Sequence, residues 1–135
     1  TLVVDDEPLA REKLRSLLSQ ELDLELVGEA KDGAEALECI TQLQPDLVLL
    51  DVQMPELDGY EATRIIRNEN SSVRNHNIPI IAMTANAMNG DREKCLEAGM
   101  NDYVTKPVNM QVLADAIKRN LHDDIEQPSS TSLSK

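Results

Sequence analysis

Leu47-Val48-Leu49-Leu50-Asp51-Val52-Gln53-Met54-Pro55-Glu56-Leu57-Asp58-Gly59 joins four consecutive apolar residues to a carboxylate and then to turn formers. An apolar run without alternation, bounded by turn residues, predicts a strand buried on both faces. That is the pattern of a parallel sheet covered by helices on each side. Asp51 closes the run. A carboxylate at such a boundary is costly to desolvate unless it lies at the open end of the sheet or has partners. Ligands of open α/β sheets bind outside the carboxyl ends of the strands, so Asp51 is the first candidate for chemistry.

The flanking sequence repeats the same alternation of strand and helix. Upstream, Leu2-Val3-Val4 is a short apolar strand followed at once by Asp5-Asp6-Glu7-Pro8. Pro8 suits the first turn of a helix, and acidic residues just before it favour the positive end of the helix dipole. That helix is predicted to run to about Gln20, with Leu14, Leu17 and Leu18 on its inner face. Leu24 to Ala30 reads as a second strand, Asp32-Gly33 as a turn, and Ala34 to Leu43 as a helix turning Ala36, Leu37, Ile40 and Leu43 inward. Downstream, Asp58 and Glu61 have the spacing of a helix cap, and Ala62, Ile65 and Ile66 form the predicted inner stripe. Asn68 to Asn77 is polar and loop-like, and Ile78 to Thr84 reads as a fourth buried strand with Pro79 tolerable near its start. A fourth helix from about Asp91 stops near Gly99. Tyr103 to Pro107 is a short fifth strand, and Asn109 caps a last helix with Val112, Leu113, Ala116, Ile117 and Leu121 inward.

Strands alternating with helices in this way imply parallel pairing through right-handed crossovers. The expected fold is α/β and flavodoxin-like: a doubly wound, five-stranded parallel sheet in the order 2-1-3-4-5, with five helices. The folded domain is expected over residues 1–121, and the Ser-rich segment 122–135 reads as a polar tail or linker. No stretch has the roughly 18 apolar residues of a membrane span, so no membrane contact is expected of this domain and a cytoplasmic setting is. No signal peptide is visible, although the chain begins without Met and inside an apolar strand.

Charge and composition exclude other classes. Acidic residues outnumber Lys and Arg by 25 to 13, for a net charge of −12, and the chain has no Trp or Phe and only two Tyr. Direct nucleic-acid binding is therefore not expected, since it normally calls for positive charge and stacking side chains. Cys39 and Cys95 lack metal-ligand spacing and both fall on predicted helices, so they read as packed thiols.

In the 2-1-3-4-5 order the switch-point crevice lies between strands one and three, and four strand ends converge on it. They bring Asp5 and Asp6, Asp51, Thr84 and Lys106. Crowded carboxylates repel by about 4 kcal/mol per pair at 4 Å and an effective dielectric near 20. That repulsion calls for a cation, and oxygen ligands without His or Cys select a hard ion such as Mg²⁺. Lys106 adds a mobile positive charge and Thr84 a hydroxyl. A carboxylate nucleophile, a divalent cation, a lysine and a hydroxyl together describe phosphoryl transfer onto an aspartate. Relief of the same repulsion predicts that Asp5→Asn or Asp6→Asn each raises metal-free stability.

Val3-Val4-Asp5-Asp6-Glu7-Pro8, Leu50 to Gly59, Ala82-Met83-Thr84-Ala85-Asn86-Ala87 and Tyr103-Val104-Thr105-Lys106-Pro107 together resemble the receiver domains of two-component response regulators. The first half, with Pro8-Leu9-Ala10-Arg11-Glu12, is similar to receivers of stand-alone transcriptional regulators. The second, with Ala98-Gly99-Met100-Asn101-Asp102-Tyr103, is more similar to receivers fused to hybrid histidine kinases. The resemblance implies that Asp51 is the phosphoacceptor. It implies that Asp6 binds Mg²⁺ directly, Asp5 mainly through water, and that the backbone carbonyl of Gln53 completes the protein ligands, with Mn²⁺ able to substitute. Thr84 and Lys106 would hold phosphoryl oxygens, Lys106-Pro107 would be cis, and Tyr103 would be the aromatic partner of Thr84 in the switch. The implied partners are a histidine kinase or histidine phosphotransfer domain as donor, and an output domain or downstream partner reading the fourth helix, fifth strand and fifth helix.

Each of these residues has a blander reading when taken alone. Asp5-Asp6 could be a solvated helix N-terminus, Asp51 a turn cap, Lys106 a surface lysine and Tyr103 a half-buried strand aromatic. Their joint occurrence in order outweighs those readings. Asp58 and Glu61 are assigned to capping, and His76 and His122 receive no role. Two rivals share the chemistry or the fold. A Mg²⁺-dependent phosphatase working through an aspartyl-phosphate would carry a second carboxylate two residues after the nucleophile, where this chain has Gln53. A flavin-binding carrier would need a Gly-rich or hydroxyl-rich phosphate cradle in place of Asp5-Asp6-Glu7.

Overall fold

The computed structural model describes residues 1–21, 25–52, 58–68, 73, 75–85 and 91–122. Five parallel strands form one sheet in the order β2-β1-β3-β4-β5: β1 (Leu2–Val4), β2 (Gly28–Ala30), β3 (Val48–Asp51), β4 (Ile80–Thr84) and β5 (Asp102–Thr105). Five helices connect or follow them: α1 (Pro8–Ser16), α2 (Gly33–Leu43), α3 (Gly59–Arg67), α4 (Asp91–Ala98) and α5 (Met110–Ile117). The helical path of α1 continues through a wider π-type turn, Leu17–Glu21, and that of α5 through another, Lys118–His122. This is the flavodoxin-like order expected from the sequence.

Alternation along the central strands sorts the core into two layers. Leu2, Val4, Val48, Leu50, Ile80 and Ala82 face α2, α3 and α4, where they meet Ala36, Ile40, Ala62, Ile66 and Cys95. Val3, Leu49, Ile81 and Met83 face the other way, onto Leu14 and Leu18 at α1 and Leu113, Ala116 and Ile117 of α5. Both faces of β3 are therefore covered, which is why its sequence shows no polar alternation.

Helix starts follow the capping pattern. Asp32 accepts from the Glu35 N–H, Asp58 from the Glu61 N–H at 2.9 Å, and Asn109 from the N–H groups of Gln111 and Val112. Gly99 follows α4 at φ 108°, a backbone region that favours glycine.

The differences from expectation have local causes. β2 is shorter than the Leu24–Ala30 run because its partner β1 is short, and the pairing is Leu2 with Gly28, Val3 with Glu29 and Val4 with Ala30. Leu24 itself lies outside the described residues. β4 begins after Pro79, whose carbonyl still accepts the Val48 N–H at 3.0 Å although the residue has no N–H to give. On α3 the inner stripe is Gly59, Ala62, Thr63 and Ile66, whereas Ile65 is exposed. Thr63 can be buried because its hydroxyl donates to the Gly59 carbonyl at 2.8 Å. Val112 is likewise exposed, one position off the stripe formed by Leu113, Ala116 and Ile117. Leu17 and Leu37 are half-buried and Leu43 exposed, while the Leu121 side chain lies outside the described set.

Candidate functional site: an acidic cleft at the carboxyl ends of the strands

The register of the sheet brings the predicted residues to one rim. Asp51 ends β3 opposite Met83, and Thr84 ends β4 opposite Thr105. Asp5 and Asp6 follow β1, and Lys106 follows β5, with its N–H donated to the Thr84 carbonyl at 2.8 Å. Asp5, Asp51 and Thr84 are buried, while Asp6 is exposed. One carboxylate oxygen from each of Asp5, Asp6 and Asp51 can be chosen so that all lie within 4.8 Å of one another.

Lys106 is the counter-charge of this cluster. Its ammonium lies 2.9 Å from Asp5 Oδ2 and 3.3 Å from Asp51 Oδ2. Burial acts to lower its pKa, but the hydrogen bonds and charges of Asp5 and Asp51 outweigh that and hold it above the usual lysine value. Lys106 thus stays protonated at neutral pH, one positive charge beside three carboxylates. The second Asp5 oxygen, Oδ1, accepts the Glu7 N–H at 3.0 Å. The Lys106-Pro107 peptide is cis, as the resemblance implied.

The donor set fits a hard divalent ion. It is all oxygen, combines buried and exposed carboxylates at bridging separation, and leaves net negative charge after Lys106 is counted. The Gln53 carbonyl lies outside the described residues.

Asp5 and Asp6 are not equivalent, which sequence alone did not show. Asp5 is committed to Lys106 and to the Glu7 N–H, whereas no described residue donates to the Asp6 carboxylate. At Asp5 the contact with Lys106 opposes the gain in metal-free stability expected from removing charge, whereas no such contact with a described residue opposes it at Asp6.

Gly59 has a packing role at the site that its place in the sequence motif does not reveal. A Cβ there would lie 2.6 Å from the Asp51 carbonyl oxygen and 2.8 Å from the Val52 Cα. The Gly59 N–H also donates to the Val52 carbonyl at 3.3 Å. The first turn of α3 thus packs directly on the main chain of Asp51. The Asp58-Gly59 pair read only as a helix start, and the available signal was a glycine at a helix start lying so close after the Asp51 strand. Tyr103 is half-buried and packs against the α2–α4 layer of the core.

Residues 1–118 match the family model of the response regulator receiver domain. The chain belongs to the response regulator receiver family. Among its relatives, hybrid signal transduction histidine kinase I of Dictyostelium discoideum is 40% identical over 137 residues, which cover 97% of this chain and 8% of that protein. The receiver thus spans a small part of that relative's length. Among solved structures, the receiver domain of a sensor histidine kinase from Pseudomonas aeruginosa, with magnesium coordinated in its active-site cleft, is 39% identical with a TM-score of 0.75. The match covers 87% of this chain and 93% of that one. The receiver domain of Ssk1 from Saccharomyces cerevisiae, crystallised with the histidine phosphotransfer protein Ypd1, matches at 30% identity and a TM-score of 0.77, over 91% of this chain and 88% of that one. As a receiver domain of two-component phosphorelay signalling, the chain is not favoured as a phosphatase. Among the described residues no helix is long and apolar enough to cross a membrane.

Proposed function

We propose that Asp51 is the phosphoacceptor of this receiver and that its chemistry is transfer from a phosphohistidine donor. The observation that carries this reading is the Lys106 ammonium, 3.3 Å from Asp51 Oδ2 and 2.9 Å from Asp5 Oδ2 at the rim of the sheet. An Asp51 carboxylate oxygen attacks phosphorus, the new P–O bond forms as the P–N bond to the donor imidazole breaks, and the imidazole leaves with that electron pair. Mg²⁺, or Mn²⁺ in its place, is the cation proposed for Asp5, Asp6, Asp51 and the Gln53 carbonyl, and it supplies neutralisation of the phosphoryl charge. Lys106 turns from the carboxylates toward a phosphoryl oxygen, and the Thr84 hydroxyl donates to another.

The donor is a histidine kinase or a histidine phosphotransfer domain. The isolated receiver is a phosphoacceptor that also takes phosphoryl groups from small donors and loses them slowly, not a turnover enzyme. Thr84 and Tyr103 form the switch, and the face of α4, β5 and α5 changes its affinity for an output domain or downstream partner. The exposure of Leu96, Met110 and Val112 on that face supports this. The receiver unit is proposed to span residues 1–121, with 122–135 as a linker, in a cytoplasmic setting without direct contact to nucleic acid or membrane.

The test is labelling by acetyl phosphate in the presence of Mg²⁺. Wild-type protein is expected to form a single hydroxylamine-sensitive acyl phosphate, and Asp51→Asn to form none. Equal labelling of Asp51→Asn overturns the assignment, and multiple-turnover hydrolysis of phosphate esters by the wild type overturns the switch reading.

A further inference from the structure

Arg11 on α1 touches the acidic cleft from behind, through main chain and not through a carboxylate. Its Nη1 donates to the Asp5 carbonyl oxygen at 2.6 Å, and its Nε lies 3.3 Å from Glu29 Oε1. Glu29 stands on β2 opposite Val3 and also takes a forked contact from Arg15, Nε at 2.7 Å and Nη2 at 3.3 Å. The Asp5 N–H is in turn held by the Ala30 carbonyl at 3.0 Å. With Glu7 on Oδ1 and Lys106 on Oδ2, every polar atom of Asp5 has a partner.

The Asp5 carbonyl belongs to the peptide plane that leads into Asp6. Since no described residue donates to the Asp6 carboxylate, its direction depends on that plane. A guanidinium bonded to the main chain of Asp5 carries a charge that the acidic cluster attracts, and drawn onto the carboxylates it would compete with any cation there. Glu29 opposes that by engaging the same guanidinium from the β2 side.

We propose that Arg11, restrained by Glu29, is a positioning residue for the metal end of the cleft. It fixes the Asp5-Asp6 peptide so that the Asp6 carboxylate points into the site, and Glu29 keeps its charge on the carbonyl and off the carboxylates. This rests on the phosphoacceptor reading above and adds to it a dependence of metal affinity on residues that touch neither metal nor phosphoryl group.

The experiment compares wild type with Arg11→Lys, Glu29→Gln and the double variant. It reads Mg²⁺ affinity by calorimetry, the melting temperature in chelator, and the rate of acetyl phosphate labelling at limiting and saturating Mg²⁺. Arg11→Lys keeps the charge but loses the planar fork. It is expected to weaken Mg²⁺ binding about tenfold, the lower end of what outer-shell partners of metal ligands contribute, with the labelling rate recovering at saturating Mg²⁺. Glu29→Gln is expected to weaken Mg²⁺ binding comparably, and the double variant no more than either single one, because the two act as a unit. Arg15→Gln, which leaves the Arg11 contacts in place, is expected to bind Mg²⁺ within about twofold of wild type, being outside the positioning contact. Mg²⁺ affinity unchanged in Arg11→Lys, whatever its melting temperature, overturns the positioning role. Wild-type protein that neither binds Mg²⁺ nor is labelled overturns the phosphoacceptor reading itself.

Discussion

Two adjacent aspartates of identical chemistry face opposite balances of charge in this cleft. Asp5 is fully buried and bonded to Lys106 and the Glu7 N–H, while Asp6 is exposed. Replacing Asp5 with Asn takes the negative charge out of its bond with the half-buried Lys106 ammonium, and charge-assisted bonds of that kind contribute about 1.5–3 kcal/mol. Asp5→Asn is therefore expected to lower stability in chelator by up to about that amount, whereas Asp6→Asn is expected to raise the melting temperature by relieving repulsion. Urea denaturation with and without Mg²⁺ checks both, and a rise for Asp5→Asn would mean that repulsion dominates at the buried position too. Asp5, Asp51 and Thr84 were legible in sequence because each follows an apolar strand run: Asp5 after Leu2–Val4, Asp51 after Leu47–Leu50, Thr84 after Ile80–Met83. The asymmetry of Asp5 and Asp6 was not, because it depends on which of them faces a lysine 101 residues away. Gly59 was hidden for the same reason, since its close approach to Asp51 exists only after α3 has docked.

At the scale of elements, strands were more legible than helix faces. Strand runs such as Val48–Leu50 need only be apolar throughout, whereas a helix stripe can be misread by one position, as at Ile65 and Val112. Contacts that fasten elements at the far end of the sheet left no local trace. Arg67, at the end of α3, donates from Nε to the Gly99 carbonyl at 2.8 Å, from Nη1 to the His76 carbonyl at 2.7 Å and from Nη2 to Asn101 Oδ1 at 2.8 Å. Asn101 Oδ1 accepts the Ile80 N–H as well, and the Asn101 N–H donates to the Ile80 carbonyl. One side chain thus joins α3, the approach to β4 and the α4–β5 turn, and a Cβ on Gly99 would strike its Cγ at 2.8 Å. Arg67→Met keeps much of the apolar stem but leaves three acceptors short of a donor. It is expected to lower stability by about 1–3 kcal/mol in urea denaturation. Because this knot lies where β4 begins, and the cleft where it ends, Mg²⁺ affinity is expected to stay at the wild-type value. A large loss of Mg²⁺ binding in Arg67→Met would mean that the two ends of the sheet are coupled.

Across the whole molecule, the acidic cleft is the concentrated part of a general excess of negative charge, −12 over the chain. Any salt is expected to stabilise the fold by screening that self-repulsion, so stabilisation by MgCl₂ alone would not identify a site. Specific binding adds a term set by mass action, about 2.7 kcal/mol when free Mg²⁺ is a hundredfold above its dissociation constant. For a domain of this size that corresponds to a rise of roughly 10 °C in melting temperature. The comparison that isolates it is MgCl₂ against NaCl at matched ionic strength, for wild type and Asp6→Asn. Wild type is expected to melt higher in MgCl₂ than in NaCl and to return to the NaCl value when chelator is added. Asp6→Asn is expected to melt at nearly the same temperature in the two salts and above wild type in NaCl. The two proteins should therefore exchange rank with the choice of cation. Screening acts on net charge and cannot reverse their order, since the variant differs by a single charge in both salts. A constant order would mean that the cluster of Asp5, Asp6 and Asp51 is only another patch of a negative surface.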